Sequence, residues 1–202
     1  MLGSVLGENS TETRKISYRD RIELIMLREF NLLITTTRGS EAEVCSEIWY
    51  LLGEIGDNSI NVDKTGISGL IGAKTTFQPH EAIRKLRKLL EERPYEFRYS
   101  LRIIPIQEVV QTDLDEITEK ATQLAVEIEE NNSFRITVEK RHSDISRIDI
   151  IEAVARNIHR KVDLKNPQKI ILIEVVGGLT GISVISPKDI ISTTKERFQT
   201  ID

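Results

Sequence analysis

The chain has 202 residues, of which 39% are hydrophobic and 30% are charged, and this balance excludes an intrinsically disordered chain. The single cysteine, Cys45, excludes an intramolecular disulfide and is typical of a reducing compartment, so we expect a cytoplasmic protein. No apolar run reaches the about 18 residues of a membrane span, and the N-terminus lacks the pattern of a signal peptide.

The net charge of −4 would by itself argue against a nucleic-acid-binding protein, but the charges are unevenly distributed. Residues 113–130 contain seven acidic side chains and one basic one. Residues 134–169 contain nine basic and five acidic side chains, and residues 74–102 contain eight and four. Because binding follows the local potential, the two basic segments are candidates for an anion-binding surface. Ordinary solvent-exposed charge is the alternative interpretation.

In chain order, residues 1–29 are predicted to be an N-terminal extension, either disordered or helical. Residues 30–110 are predicted to form strand, helix, strand, strand, helix and strand. The last of these strands is predicted from the alternation of Phe97, Tyr99 and Leu101 with polar residues. This order is typical of a ferredoxin-like fold, in which two helices cover one face of an antiparallel sheet.

A second α/β unit is predicted over residues 111–186, so the fold class is α+β. It begins with a long helix over residues 113–130 and continues with an alternating strand from Phe134. Another helix has Ser146 as its N-cap, and two buried strands joined through glycines close the unit. Residues 187–202 are predicted to be a C-terminal tail.

The sequence contains no recognisable catalytic, metal-binding or cofactor motif. His80, His142 and His159 are too scattered for a metal site. The glycine-rich segment GISGLIGAKTT, residues 66–76, lacks the order of a phosphate-binding loop because Ala73 separates its last glycine from the lysine. We therefore expect a non-catalytic protein without a cofactor, and an enzyme with an unrecognised site remains an alternative.

Clusters of basic residues are the remaining functional signal. One cluster ends a strand and opens the next helix, whose amides also favour anions. A second cluster surrounds the turn that contains Asn166 and Pro167, and in a compact unit we expect it to lie near the first. Arginine forks and lysine point charges suit phosphate. The candidate residues are Lys140, Arg141, His142, Arg147, Arg160, Lys161, Lys165, Asn166, Lys169, Lys74 and Arg102.

The second unit resembles the THUMP domain, an RNA-binding module of tRNA-modifying proteins. The resemblance rests on FRITVEKRHSDIS followed by a helix, then VDLKNPQKIILIEVVGG and GISVI. The unit before it resembles the N-terminal ferredoxin-like domain that commonly accompanies THUMP. The resemblance implies that the candidate residues bind RNA, and that the ligand is the acceptor region and 3′ end of tRNA.

Members of this family usually carry a fused enzyme, and this sequence shows none. It therefore resembles the stand-alone branch related to the tRNA acetylation adapter, which presents tRNA to a separate cytidine N4-acetyltransferase. Two alternatives stay open. One is the RNA-binding subunit of another tRNA modification system, for methylation or thiolation. The other is a protein-interaction module without RNA binding.

Overall fold

The computed structural model describes residues 30–197, so the predicted N-terminal extension lies outside the described residues. No helix within residues 30–197 is long and apolar enough to cross a membrane. The first elements are β1 (Leu32–Thr36), α1 (Glu41–Glu54), β2 (Asn61–Lys64), β3 (Leu70–Lys74), α2 (Pro79–Glu92) and β4 (Ser100–Pro105). They are followed by β5 (Glu108–Gln111), α3 (Leu114–Leu124), β6 (Phe134–Arg141), α4 (Arg147–Arg156), β7 (Lys169–Val176), β8 (Leu179–Ile185), β9 (Ile191–Ser192) and α5 (Thr193–Glu196).

The first sheet has the strand order β2-β3-β1-β4-β9, and all its neighbouring strands are antiparallel. Helices α1 and α2 pack on one face of this sheet. Their apolar stripes, which include Ile48 and Leu86, are buried against Ile34 and Ile103. The first four strands and the two helices confirm the predicted ferredoxin-like arrangement.

The segment after β8, predicted to be a tail, returns to the first sheet. β9 pairs antiparallel with β4, where Ser192 lies opposite Arg102. Arg87 of α2 ties this segment down, because its guanidinium donates to the Lys188 carbonyl at 2.6 Å and to Glu196 at 3.0 Å. The described part of this segment, residues 187–197, is therefore a folded part of the first sheet rather than a tail.

The second sheet has the strand order β5-β8-β7-β6, and only β6 and β7 are parallel. Helix α4 connects these two parallel strands, and it packs with α3 on one face of the sheet. The Ser146 hydroxyl accepts a hydrogen bond from the Asp149 amide at 3.3 Å, which confirms the predicted N-cap. Helix α3 ends at Leu124, so the helix is shorter than predicted.

The two sheets pack against each other through the faces that carry no helices. This core between the sheets contains Leu33 and Ile104 from the first sheet and Leu172 and Ile185 from the second. The fold is thus layered as helices, sheet, sheet and helices. Gly181 lies at a close approach between the layers, because a Cβ atom there would come within 3.0 Å of Ile106.

The start of β4 differs from the predicted alternation. Ser100 is buried, whereas Tyr99 and Leu101 are exposed. The cause is the buried carboxylate of Glu47, which accepts hydrogen bonds from the amides of residues 98, 99 and 100 at 2.6–2.9 Å. These bonds hold the backbone just before β4, so Tyr99 is directed outward. Leu101 is exposed because it lies at an irregularity in the pairing of β4 with β1, where the register shifts between Thr35 and Thr36.

The core between the sheets should be essential for stability. We expect Leu172→Ala to lower the free energy of unfolding by about 2–5 kcal/mol, because it leaves a cavity in this core. Leu164→Ala is the matched control, since Leu164 is 71% exposed, and it should change the value by less than about 0.5 kcal/mol. Urea unfolding monitored by circular dichroism measures both. Equal stability of the two variants would contradict the assignment of this core.

Candidate nucleic-acid interface

The parallel pairing of β6 and β7 separates the two predicted basic clusters. Arg141 at the end of β6 lies opposite Val176, and Phe134 at its start lies opposite Lys169. Seven steps along a strand of about 3.3 Å each place these ends roughly 23 Å apart. The expectation that the two clusters lie together is therefore wrong. A helix that connects parallel strands must return the chain to the opposite end of the sheet.

Two basic side chains at the end of β6, those of Arg141 and Lys140, form hydrogen bonds with other groups of the protein. Arg141 Nη1 donates to Oε2 of the fully buried Glu174 at 2.6 Å. Burial raises the pKa of Glu174 above its usual value, and the charge and hydrogen bond of Arg141, with the charge of Arg102, lower it in part. Lys140 Nζ donates to the Ile145 carbonyl at 3.0 Å.

The other two residues of this cluster are exposed to solvent. His142 follows β6 with a left-handed backbone (φ 52°), and Arg147 begins α4. Their side chains are free to meet an anion, beside the amides at the N-terminus of α4.

The second cluster lies on a turn beside the start of β6, and hydrogen bonds to backbone amides hold this turn in place. The Asp163 carboxylate accepts hydrogen bonds from the amides of Asn166 and Lys165 at 2.9 and 3.0 Å, and these bonds lower the pKa of Asp163. The Lys161 carbonyl accepts from the amide of Phe134 at 2.8 Å. The side chains of Lys161, Lys165 and Asn166 consequently face solvent from a fixed turn.

Two further predicted residues near this turn are less accessible. Arg160 Nε donates to the Ile128 carbonyl at 3.1 Å, which ties the turn to the segment after α3. Lys169 begins β7 and is half-buried.

A cleft of about 970 Å³ lies beside this turn, between the C-terminal segment and α2 on one side and the starts of β6 and β7 on the other. Its charged lining residues are Arg87, Arg102, Arg135, Lys188, Lys195, Glu91 and Glu196. We call it the basic cleft, since five cations face two carboxylates. Arg135 Nη1 donates to the Leu164 carbonyl at 3.2 Å, which joins the cleft to the turn.

Arg135 has a further feature that suits an anion site. Its Nε atom is buried and has no hydrogen-bond partner among the described residues. A buried guanidinium N–H without an acceptor is costly, so an incoming phosphate oxygen would gain by pairing with it.

The sequence predicted only Arg102 among the cations of this cleft. Lys74 lies at the exposed end of β3 and does not line it. The alternation of β6 places Arg135 on the face opposite Phe134, and this pattern would have been a usable signal. Lys188 and Lys195 gave no local signal, because only the pairing of β9 with β4 brings them here.

The described residues also bear on other chemistry. Burial raises the pKa of the Cys45 thiol, which disfavours the nucleophilic thiolate. Within residues 30–197, no three histidine, cysteine or acidic side chains are grouped so that they could hold a metal ion.

The pair of Arg141 and Glu174 generates a prediction about stability. We expect Arg141→Met to cost about 3 kcal/mol at pH 7, because it leaves a buried carboxylate without its partner. The folded pKa of Glu174 is raised, so protonation favours the folded state and the cost should shrink as the pH falls. Urea unfolding at pH 7 and pH 5 measures both effects.

Two further variants control this experiment. Arg147→Met makes the same change at an exposed position and should leave stability nearly unchanged. Adding Glu174→Gln to Arg141→Met should restore part of the lost stability. A cost for Arg141→Met that is the same at both pH values would show that the buried charge is not its cause.

Comparison with known proteins bears on the second half of the chain. Residues 111–185 match the family model of the THUMP domain. A search of the curated proteins finds no match to the chain.

Solved structures are similar in fold. One is PH1313 from Pyrococcus horikoshii, with 22% identity and a TM-score of 0.56, over 78% of this chain and 55% of that one. Another is a possible methylase from Clostridium difficile, with 15% identity and a TM-score of 0.52, over 80% of this chain and 42% of that one. This chain thus spans about half the length of these proteins. The match over residues 111–185 in turn confirms the resemblance to the THUMP domain that the sequence of this segment shows.

Proposed function

We propose that this protein binds tRNA through the basic cleft and the adjoining turn, and that it presents the tRNA to a separate modifying enzyme. The observation that carries the proposal is the convergence of Arg102, Arg135, Lys188 and Lys195 at one edge of a THUMP domain. Arginine and lysine at this density suit the phosphates of a nucleic-acid backbone, which dominate affinity. We also propose that the protein acts in the cytoplasm, because a single cysteine is typical of proteins in a reducing compartment.

The geometry supports RNA rather than a small anion. The turn with Lys161 and Lys165 continues the positive surface beyond the cleft, so the combined surface is long enough for several phosphates. The amides at the start of α4, with His142 and Arg147, offer a second contact roughly 23 Å away along β6. A structured RNA of the size of tRNA is large enough to reach both ends.

The finer form of the proposal is an adapter for a cytidine N4-acetyltransferase that recognises the acceptor region and 3′ end of tRNA. It rests on the resemblance to the stand-alone THUMP branch. On this proposal the protein is not itself an enzyme, and its contribution is to position the RNA. Positioning alone is a strong effect, because it replaces a bimolecular encounter with an oriented one.

Binding of tRNA should depend strongly on salt. If about five phosphates are neutralised, the plot of log affinity against log salt should have a slope between about −3 and −5. Lys188→Ala combined with Lys195→Ala should weaken binding and flatten this slope by about 1.4 to 1.8, because two phosphate contacts are lost. Fluorescence anisotropy with labelled tRNA, from low to high salt, measures affinity and slope together.

The matched control is Lys64→Ala combined with Lys88→Ala. Both lysines are exposed and lie outside the cleft, and the net charge changes equally. The pair His142→Ala and Arg147→Ala tests the end of β6 separately. Removing the 3′-terminal nucleotides from the tRNA should lower its affinity for the unchanged protein. If the cleft variant keeps the affinity and slope of the unchanged protein, the cleft is not the RNA site.

Deleting the protein should remove one modified nucleoside from tRNA. The adapter proposal expects N4-acetylcytidine to disappear in mass spectrometry of digested tRNA from a deletion strain. Loss of a methylated or thiolated nucleoside instead would assign the protein to another modification system.

The purified protein provides the control for catalysis. Incubated with tRNA and acetyl-CoA, or with tRNA and S-adenosylmethionine, it should leave the nucleosides unchanged. A modified nucleoside formed without any added protein would overturn the adapter proposal.

A further inference from the structure

A second concave surface lies beside α1 and the start of β4. It has a volume of about 580 Å³ and is lined by Tyr50, Tyr95, Tyr99, Glu43, Ser46, Glu47, Glu96 and Arg98. We call it the tyrosine pocket. It shares no lining residue with the basic cleft, so its role is separate from RNA binding as proposed above.

The three tyrosines present their rings to solvent from three different segments. Tyr95 is 64% exposed, and Tyr50 and Tyr99 are 42% and 41% exposed. The buried Glu47 holds the backbone of Tyr99 in its outward position. Aromatic side chains grouped and exposed in this way mark an interaction surface, because each ring offers a large apolar contact area that the fold leaves unused.

The charge of the pocket is negative. Three glutamates face one arginine in the lining, and Arg98 Nε already donates to the Tyr95 carbonyl at 3.1 Å. Glu96 Oε1 accepts from Tyr50 Oη at 3.2 Å and from Arg93 Nη1 at 3.1 Å. Glu96 Oε2 is buried and has no partner among the described residues. The pocket therefore offers tyrosine rings beside carboxylates, of which Glu43 is exposed, and this environment suits a cation.

We propose that the tyrosine pocket binds an arginine side chain from a basic segment of a protein partner. The planar guanidinium stacks on the tyrosine rings and pairs with the exposed carboxylate of Glu43. RNA is the less favoured occupant. Its bases stack on aromatic rings, but its phosphates would be repelled by Glu43, Glu47 and Glu96.

The test is a two-dimensional amide NMR titration of the full chain with the peptide acetyl-Gly-Arg-Gly-Arg-Gly-amide. We expect the amide signals of the segments around Tyr50 and Tyr95 to shift. The same peptide with citrulline in place of arginine has the same shape without the charge, and it should bind at least about fivefold more weakly.

Variants of the chain sharpen this test. Tyr95→Ala should lower the affinity for the arginine peptide by about two- to fivefold, and Tyr95→Phe should retain binding because the ring remains. Glu43→Gln should also weaken it, since Glu43 is exposed and its removal disturbs no described contact. Trp49→Ala is the matched control, because Trp49 is exposed on α1 but lies outside the pocket, and it should have no effect.

Three outcomes would overturn the proposal. The first is that the arginine peptide leaves these amides unshifted, and the second is that the citrulline peptide binds equally well. The third is that hexauridylate shifts the same amides and loses this effect in Tyr95→Ala, which would make the pocket a site for stacking RNA bases. Because the probe is a peptide, a negative result leaves the salt titration of tRNA binding unaffected, and the two proposals fail separately.

Discussion

The apolar contact between the two sheets determines where the functional surfaces of this protein lie. Leu33 and Ile104 of the first sheet are buried against Leu172 and Ile185 of the second. Full burial of one such side chain is worth about 1.5–3 kcal/mol, so the contact fixes one sheet relative to the other. None of the described residues of β6 contributes to this core. β6 therefore extends beyond the contact, and the space between β6 and the first sheet is the basic cleft.

The chemistry of β6 follows from this position. On the face opposite the helices it carries Arg135 at its start and Arg141 at its end, because these positions alternate with Phe134 and Val138 of the helix-facing core. Arg141 pairs with buried Glu174, whereas Arg135 lines the open cleft. A register slip of one residue would turn Arg141 toward the helices and leave Glu174 unpaired. The ion pair thus helps to hold in register the strand that positions the cleft.

The order of most elements was predictable because each depends on local periodicity and local caps, but β5, which pairs with β8, was not predicted. The strands and helices of the ferredoxin-like unit and the N-cap at Ser146 all follow from short sequence patterns. What the sequence could not show depends on contacts between distant residues. The direction of Tyr99 depends on Glu47, more than fifty residues earlier, and β9 gains its place only by pairing with β4. The separation of the two basic clusters follows from β6 and β7 being parallel, which alternation alone does not reveal.

The uneven charge of the chain is consistent with two surfaces that act independently. The cleft gathers cations although the chain has a net charge of −4, and the tyrosine pocket gathers carboxylates. At physiological ionic strength, charges farther apart than about 8 Å are largely screened, so each surface acts mainly through its own residues. An adapter needs this property, because it must attract a polyanion without repelling the protein that will act on it. On the two proposals, the cleft attracts the RNA and the pocket attracts a basic segment of the partner. Because the cleft and the pocket share no lining residue, the two proposed ligands do not compete for the same charges.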